Sequence, residues 1–112
     1  MADNIPTCAW LGKSGKKYPY YILPLPAMFH PNQPGNYIYT RLNAENKWTP
    51  IYIGQGQLSE WVGPNHPQIA CITMKAATHV HVHSTALEED RLAEVKDLLA
   101  MYTNACTPTG CN

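Results

Sequence analysis

The chain has 112 residues, 45% of them hydrophobic and 14% charged, with eight basic and eight acidic side chains. That length serves one hydrophobic core and leaves no room for a separate recognition domain, and the composition excludes a disordered chain. A formal net charge of zero excludes a protein that holds nucleic acid by bulk charge alone, because neutralising phosphates takes a surplus of Lys and Arg. The balance is uneven along the chain: residues 1–75 carry six basic side chains against three acidic, and residues 76–112 carry two against five. A basic surface in the first half is compatible with this gradient, as is an ordinary mixed surface.

No run approaches the ~18 apolar residues of a membrane span, and residues 1–10 lack a basic segment followed by an apolar stretch. The expectation is a cytoplasmic chain that contacts no membrane. Cys8, Cys71, Cys106 and Cys111 show no paired CxxC spacing and are expected to be free thiols.

In chain order, residues 1–17 are polar and without periodicity, ending in Gly12-Lys13-Ser14-Gly15-Lys16-Lys17, and predict a flexible arm ahead of a single domain over 18–112. Tyr18 to Leu25 is rich in aromatic and aliphatic residues but holds Pro19 and Pro24, which predicts an edge strand. His30 to Gly35 reads as a turn. Asn36 to Arg41 and Pro50 to Gly54 predict two antiparallel strands joined by the polar loop Leu42 to Thr49. Leu58 to Val62 predicts a short helix ended by Gly63-Pro64, and Asn65 with Pro67 predicts the cap and first turn of another reaching about Ala76. Thr78 to His83 alternates Thr, His, Val, His, Val, His, the period of a strand. Thr85 with Glu88 forms a capping-box pattern, followed at helical spacing by Leu87, Leu92, Val95, Leu98, Leu99 and Tyr102. This order predicts an α+β domain, a small and largely antiparallel sheet covered by helices, with an extra N-terminal edge strand.

The hairpin opens with Gly35-Asn36-Tyr37 and closes with Tyr52-Ile53-Gly54, so antiparallel pairing brings two tyrosines into one neighbourhood. Gly35-Asn36-Tyr37, Tyr52-Ile53-Gly54-Gln55, Leu58-Ser59-Glu60, Asn65-His66, the 77–83 strand, the Arg91–Leu99 helix with Glu94, and Pro108 to Asn112 together resemble the GIY-YIG nuclease family over about residues 35–112. The resemblance implies a divalent-metal-dependent endonuclease acting on nucleic acid, most often DNA, with one Mg²⁺ or Mn²⁺ polarising the scissile phosphate. Carried over residue by residue, Tyr37 is the base or its partner, Tyr52 and His66 stand beside the attacked phosphate, and Glu94 is the metal ligand. Asn112, with Gly54, Gln55 and Trp61, would contact substrate. With one domain, targeting falls to a partner protein, a homodimer or a structure-selective mode.

The resemblance breaks at Trp61, which stands where the family has an arginine that stabilises charge on the transferred phosphoryl group. A second reading is therefore a GIY-YIG scaffold weakened in catalysis and acting as a nucleic-acid- or protein-binding module, with Trp61 stacking on a base. A third comes from His79, His81 and His83, which share one strand face at a spacing compatible with a Zn²⁺ site.

Overall fold

The computed structural model describes residues 5–112. Five strands form one antiparallel sheet: β1 (Thr7–Leu11), β2 (Lys17–Pro24), β3 (Pro34–Leu42), β4 (Trp48–Gln57) and β5 (His79–Ser84), in the spatial order β1-β2-β5-β3-β4. The short helices α1 (Leu58–Trp61) and α2 (Ile69–Met74) follow β4, α3 (Glu88–Met101) follows β5, and a single 3₁₀ turn spans Thr103–Ala105. The α+β class and the antiparallel sheet read from the sequence are what the chain adopts.

β3 is central, hydrogen-bonded to β4 on one side and β5 on the other, and is buried from Gly35 through Thr40. Because side chains alternate across a sheet, its residues divide between two cores. Tyr37 and Tyr39 join Ile51, Leu58, Val62, Ile72, Val80 and Val82 beneath α1 and α2. Ile38 joins Trp10, Tyr18, Tyr20, Ile53 and Leu98 beneath α3. Asn36 lies on the α3 side as well, donating its Nδ2–H to the Arg91 carbonyl at 3.1 Å.

Several expectations are corrected. Residues 7–11 form β1 instead of a loose arm: Trp10 is buried among Tyr18, Tyr20, Ile38 and Leu98, and its Nε1–H donates to His81 Nδ1 at 2.9 Å. The lysine-rich stretch is the turn between β1 and β2, held by Asp97, which accepts from the Ser14 amide and hydroxyl at 2.8 and 2.7 Å. β2 is consequently an interior strand, and β1 is the N-terminal edge. Pro19 is tolerated because it pairs only with β1, at Ala9, beyond the β2–β5 register that begins at Tyr21.

α2 starts at Ile69 with Gln68 at its N-cap, so Asn65 does not cap it. α3 begins at Glu88 with Leu87 as N-cap and no side-chain cap bond, so the Thr85/Glu88 box does not form. Leu87 and Leu92 are exposed, and the buried α3 residues are Glu94 and Leu98. Cys71 and Cys111 form a disulfide, leaving Cys8 and Cys106 as the free thiols. Sequence spacing could not find that pair, because 40 positions separate its members and the fold alone brings their Cα atoms to 5.9 Å. Among the described residues no helix is long and apolar enough to cross a membrane.

Candidate functional site

The tyrosine neighbourhood is built by the β3–β4 hairpin. Tyr37 pairs with Gly54 and Tyr39 with Tyr52, so Tyr37 and Tyr52 are diagonal neighbours on one face; their rings stack with centroids 6.0 Å apart and an interplanar angle of 14°. Gly54 lets them meet. A Cβ there would lie 2.5 Å from Tyr37 Oη and 2.9 Å from Tyr52 Cε1, so any side chain would displace both rings. At Gly56 the backbone has φ +142°, which glycine alone adopts readily, and a Cβ would strike the Trp61 indole.

His66, in the loop between α1 and α2, is the hub of the cluster. It is 2% exposed, and its ring makes edge contacts with Tyr37, Tyr39, Tyr52 and Trp61 at centroid distances of 4.6 to 5.7 Å. Its Nδ1 accepts the Gln68 backbone N–H at 2.9 Å, and its Nε2 lies 2.7 Å from Tyr37 Oη. Burial lowers the His66 pKa, which favours the neutral ring. With Nδ1 committed as an acceptor, the hydrogen-bond network assigns the ring proton to Nε2, which donates to Tyr37 Oη. The phenolic proton of Tyr37 is thereby left for another acceptor. Burial, and then the neighbouring Tyr52 and Tyr39, push the Tyr37 pKa well above the ordinary phenol value, so Tyr37 is a hydrogen-bond donor and a poor base.

Tyr37 and Tyr52 line a cleft of about 300 Å³ that crosses the free edge of β4 past Gly54. Trp61 stands with the tyrosines at one end, and Gln55, Leu92 and Val95 stand on the α3 side. Arg91 stands behind Gln55: its Nε donates to Gln55 Oε1 at 2.9 Å, and Nη1 to the Thr85 and Ala86 carbonyls at 2.8 and 2.9 Å. Sequence reading had no means of placing Arg91 here, since the contact depends on α3 packing against the hairpin. The lining of this cleft contains no carboxylate side chain. A larger apolar depression of about 750 Å³, walled by Leu25, Phe29, Val62, Ile69 and Ile72, lies away from these groups and has Glu60 as its one carboxylate.

Two expected site residues have other work. Asn112 borders the cleft, but its Oδ1 accepts the Ile53 N–H at 2.8 Å and its Nδ2 donates to the Ile53 carbonyl at 2.9 Å, mimicking a ladder partner for β4. Glu94 is not in the cleft. It is 5% exposed beneath α3, where Oε2 accepts the Tyr20 hydroxyl and His83 Nε2–H, the latter at 2.6 Å. Tyr20 belongs to the α3-side core and Tyr37 to the opposite one, so the sheet separates Glu94 from the two tyrosines. Helical spacing puts Glu94 beside Leu87 and Leu98 at the edge of the apolar stripe; Leu98 is buried with it while Leu87 is exposed, and spacing carries no information on which flank of the hairpin that side covers.

The one carboxylate that the family resemblance assigns to a divalent cation is therefore bonded to Tyr20 and His83, across the sheet from the tyrosines. Among the described residues no three His, Cys, Asp or Glu side chains converge as a metal-binding group. The same holds for the zinc reading. His79 packs edge-on against Trp48 and shares a hydrogen bond with Thr78 Oγ1 at 2.8 Å, His81 is fully buried against Trp10 and Trp48, and His83 is bonded to Glu94. No protein-family model, curated protein or solved structure matches the chain.

Proposed function

We propose that this chain binds nucleic acid through the cleft at the β4 edge, as a GIY-YIG-like scaffold whose tyrosine site holds a phosphate oxygen rather than activating water. The carrying observation is the Tyr37–His66 hydrogen bond in a cleft lined by no carboxylate side chain: with His66 donating, the Tyr37 hydroxyl proton is left beside a surface of donors and aromatic rings. Tyr52, Trp61 and Gln55 line the cleft, and the Gln55 Oε1 is taken by Arg91 Nε, which leaves the Gln55 amide N–H groups as donors. Hydrogen bonds from neutral donors to a charged oxygen are stronger than neutral pairs. Trp61, half-buried against Gly56, has an indole on which a base can stack. Because charge is balanced overall, affinity rests on this local set and on stacking, which favours an unpaired strand whose bases are accessible.

The test is fluorescence anisotropy with labelled single-stranded, duplex and branched DNA at low salt, with the same mixtures incubated with Mg²⁺ or Mn²⁺ and resolved for cleavage. Binding of single strands, weakened at least about fivefold by Trp61→Ala, is expected. Absence of binding to every substrate would sink the proposal. Metal-dependent cutting that a folded Glu94→Gln variant loses would reinstate the endonuclease.

A further inference from the structure

The disulfide joins α2 to the residue that precedes Asn112, which lines the cleft. Cys71 is half-buried on α2, which continues from the loop that carries His66; Cys111 is 2% exposed and immediately precedes Asn112. Between them they pin the segment Thr107–Asn112 along the outer edge of β4. There the Cys111 N–H donates to the Ile51 carbonyl at 2.8 Å, and the Asn112 side chain brackets Ile53 through its N–H and its carbonyl. Ile53 pairs with Ile38 across the β3–β4 ladder, yet its own N–H and carbonyl point outward to Asn112, so Asn112 is what covers them. Of the six residues of this segment, only Cys111 enters the apolar core.

We infer that the Cys71–Cys111 disulfide is a redox latch on the cleft: reduction releases Thr107–Asn112 from the β4 edge, withdraws the Asn112 wall and uncovers the Ile53 backbone. With the covalent tie cut, the segment is held by three hydrogen bonds to β4, by backbone bonds from Gly110 N–H to the Cys106 carbonyl, from Asn112 N–H to the Ala105 carbonyl and from Thr107 N–H to the Asn112 carbonyl, and by an exposed contact from Lys75 Nζ to the Pro108 carbonyl, against the backbone entropy of six residues. The rest of the sheet keeps its hold, since the α3-side core contains neither cysteine.

The chemistry is thiol–disulfide exchange with a dithiol. One thiolate of the reagent attacks the more accessible sulfur, that of Cys71, and the Cys111 sulfur leaves as thiolate and takes up a proton. The reagent's second thiolate then attacks the mixed disulfide, expelling the Cys71 thiolate; the protein gains two electrons and two protons as the dithiol closes to its own disulfide.

Amide hydrogen exchange on the whole chain, oxidised against dithiothreitol-reduced, tests this without any ligand, so its outcome is separate from whether the cleft binds nucleic acid. Completeness of reduction is read from the free thiols, which rise from the two of Cys8 and Cys106 to four. The Ile53 and Cys111 amides are expected to exchange at least about tenfold faster after reduction, while the Ile38 amide in the central strand keeps its protection. Cys71→Ser should show the same pattern without reductant, and Cys106→Ser should behave as the unaltered chain. Unchanged Ile53 protection in the fully reduced chain overturns the inference. So does equal loss at Ile38, which would make the disulfide a staple of the whole fold.

Discussion

Tyr37→Phe removes one oxygen and separates the two roles assigned to that oxygen. In the folded chain Tyr37 Oη accepts from His66 Nε2–H at 2.7 Å, and the His66 ring is 2% exposed, so removing the acceptor leaves a buried donor unpaired. A buried donor left unpaired costs about 1–3 kcal/mol. At about 4 °C per kcal/mol for a domain near this size, thermal unfolding should fall by ~4–12 °C. Urea unfolding followed by tryptophan fluorescence at pH 7.5 measures the free energy directly. In binding, the same change removes a donor to a charged phosphate oxygen, about 1.5–3 kcal/mol, hence a roughly 10- to 150-fold loss of affinity for single-stranded DNA under conditions where the variant is folded. Nitrogen chemical shifts of His66 complete the test, with a bare Nδ1 and a protonated Nε2 expected. A His66 protonated on Nδ1, or a Tyr37→Phe protein as stable as the parent, would refute the reasoning, because the Tyr37 proton would then already have an acceptor in His66.

Gly54→Ala should lower stability by about 1–3 kcal/mol in urea unfolding and perturb Tyr37 and Tyr52 resonances, because the added Cβ meets both rings. Glu94→Gln should destabilise the fold through its bonds to Tyr20 and His83 while leaving oligonucleotide affinity within about twofold of the parent; calorimetry against anisotropy separates the effects, and a selective loss of affinity would place Glu94 in the site after all. Acid should destabilise the chain through its buried histidines. Burial lowers the pKa of His66, and that of His81 to about 4, against an ordinary value of 6.5, so the unfolded chain binds more protons and stability falls as pH drops below 6.5. For His81 the gap amounts to on the order of 3 kcal/mol between pH 7 and pH 4, and urea midpoints across that range check it, with an NMR titration assigning the share of His81.

Much of the fold was legible because its periodicities are local. The alternation over 78–83 marked β5, and the two tyrosine motifs marked the hairpin; the structure set its register, Tyr37 opposite Gly54. The aromatic pair and the role of Gly54 beside it follow from that register. What escaped were features whose evidence lies far away in the chain. Trp10 reads as a stray tryptophan until Tyr18, Tyr20 and Leu98 are packed around it, and Cys71 reads as a free thiol until Cys111 arrives. The capping box at Thr85 failed because Arg91 takes the Thr85 and Ala86 carbonyls and holds that turn in place, with Leu87 left to begin the helix.

By itself, then, the sequence determined the element types from residue 18 onward, the antiparallel hairpin and the pairing of two tyrosines in it, since each depends on neighbouring residues and on alternation that the backbone enforces. Tertiary structure alone decided which face of the sheet each chemically capable side chain reached. Glu94 and Tyr37 are both buried beside strands, but α3 packs on the face opposite Tyr37, so the carboxylate goes to Tyr20 and His83 while the phenol is left with His66 in a cleft of donors. That choice of face sets what the site can do, and its physical cause is the burial of Leu98 against Trp10, Tyr20, Ile38 and Ile53, a set of contacts that no local pattern encodes.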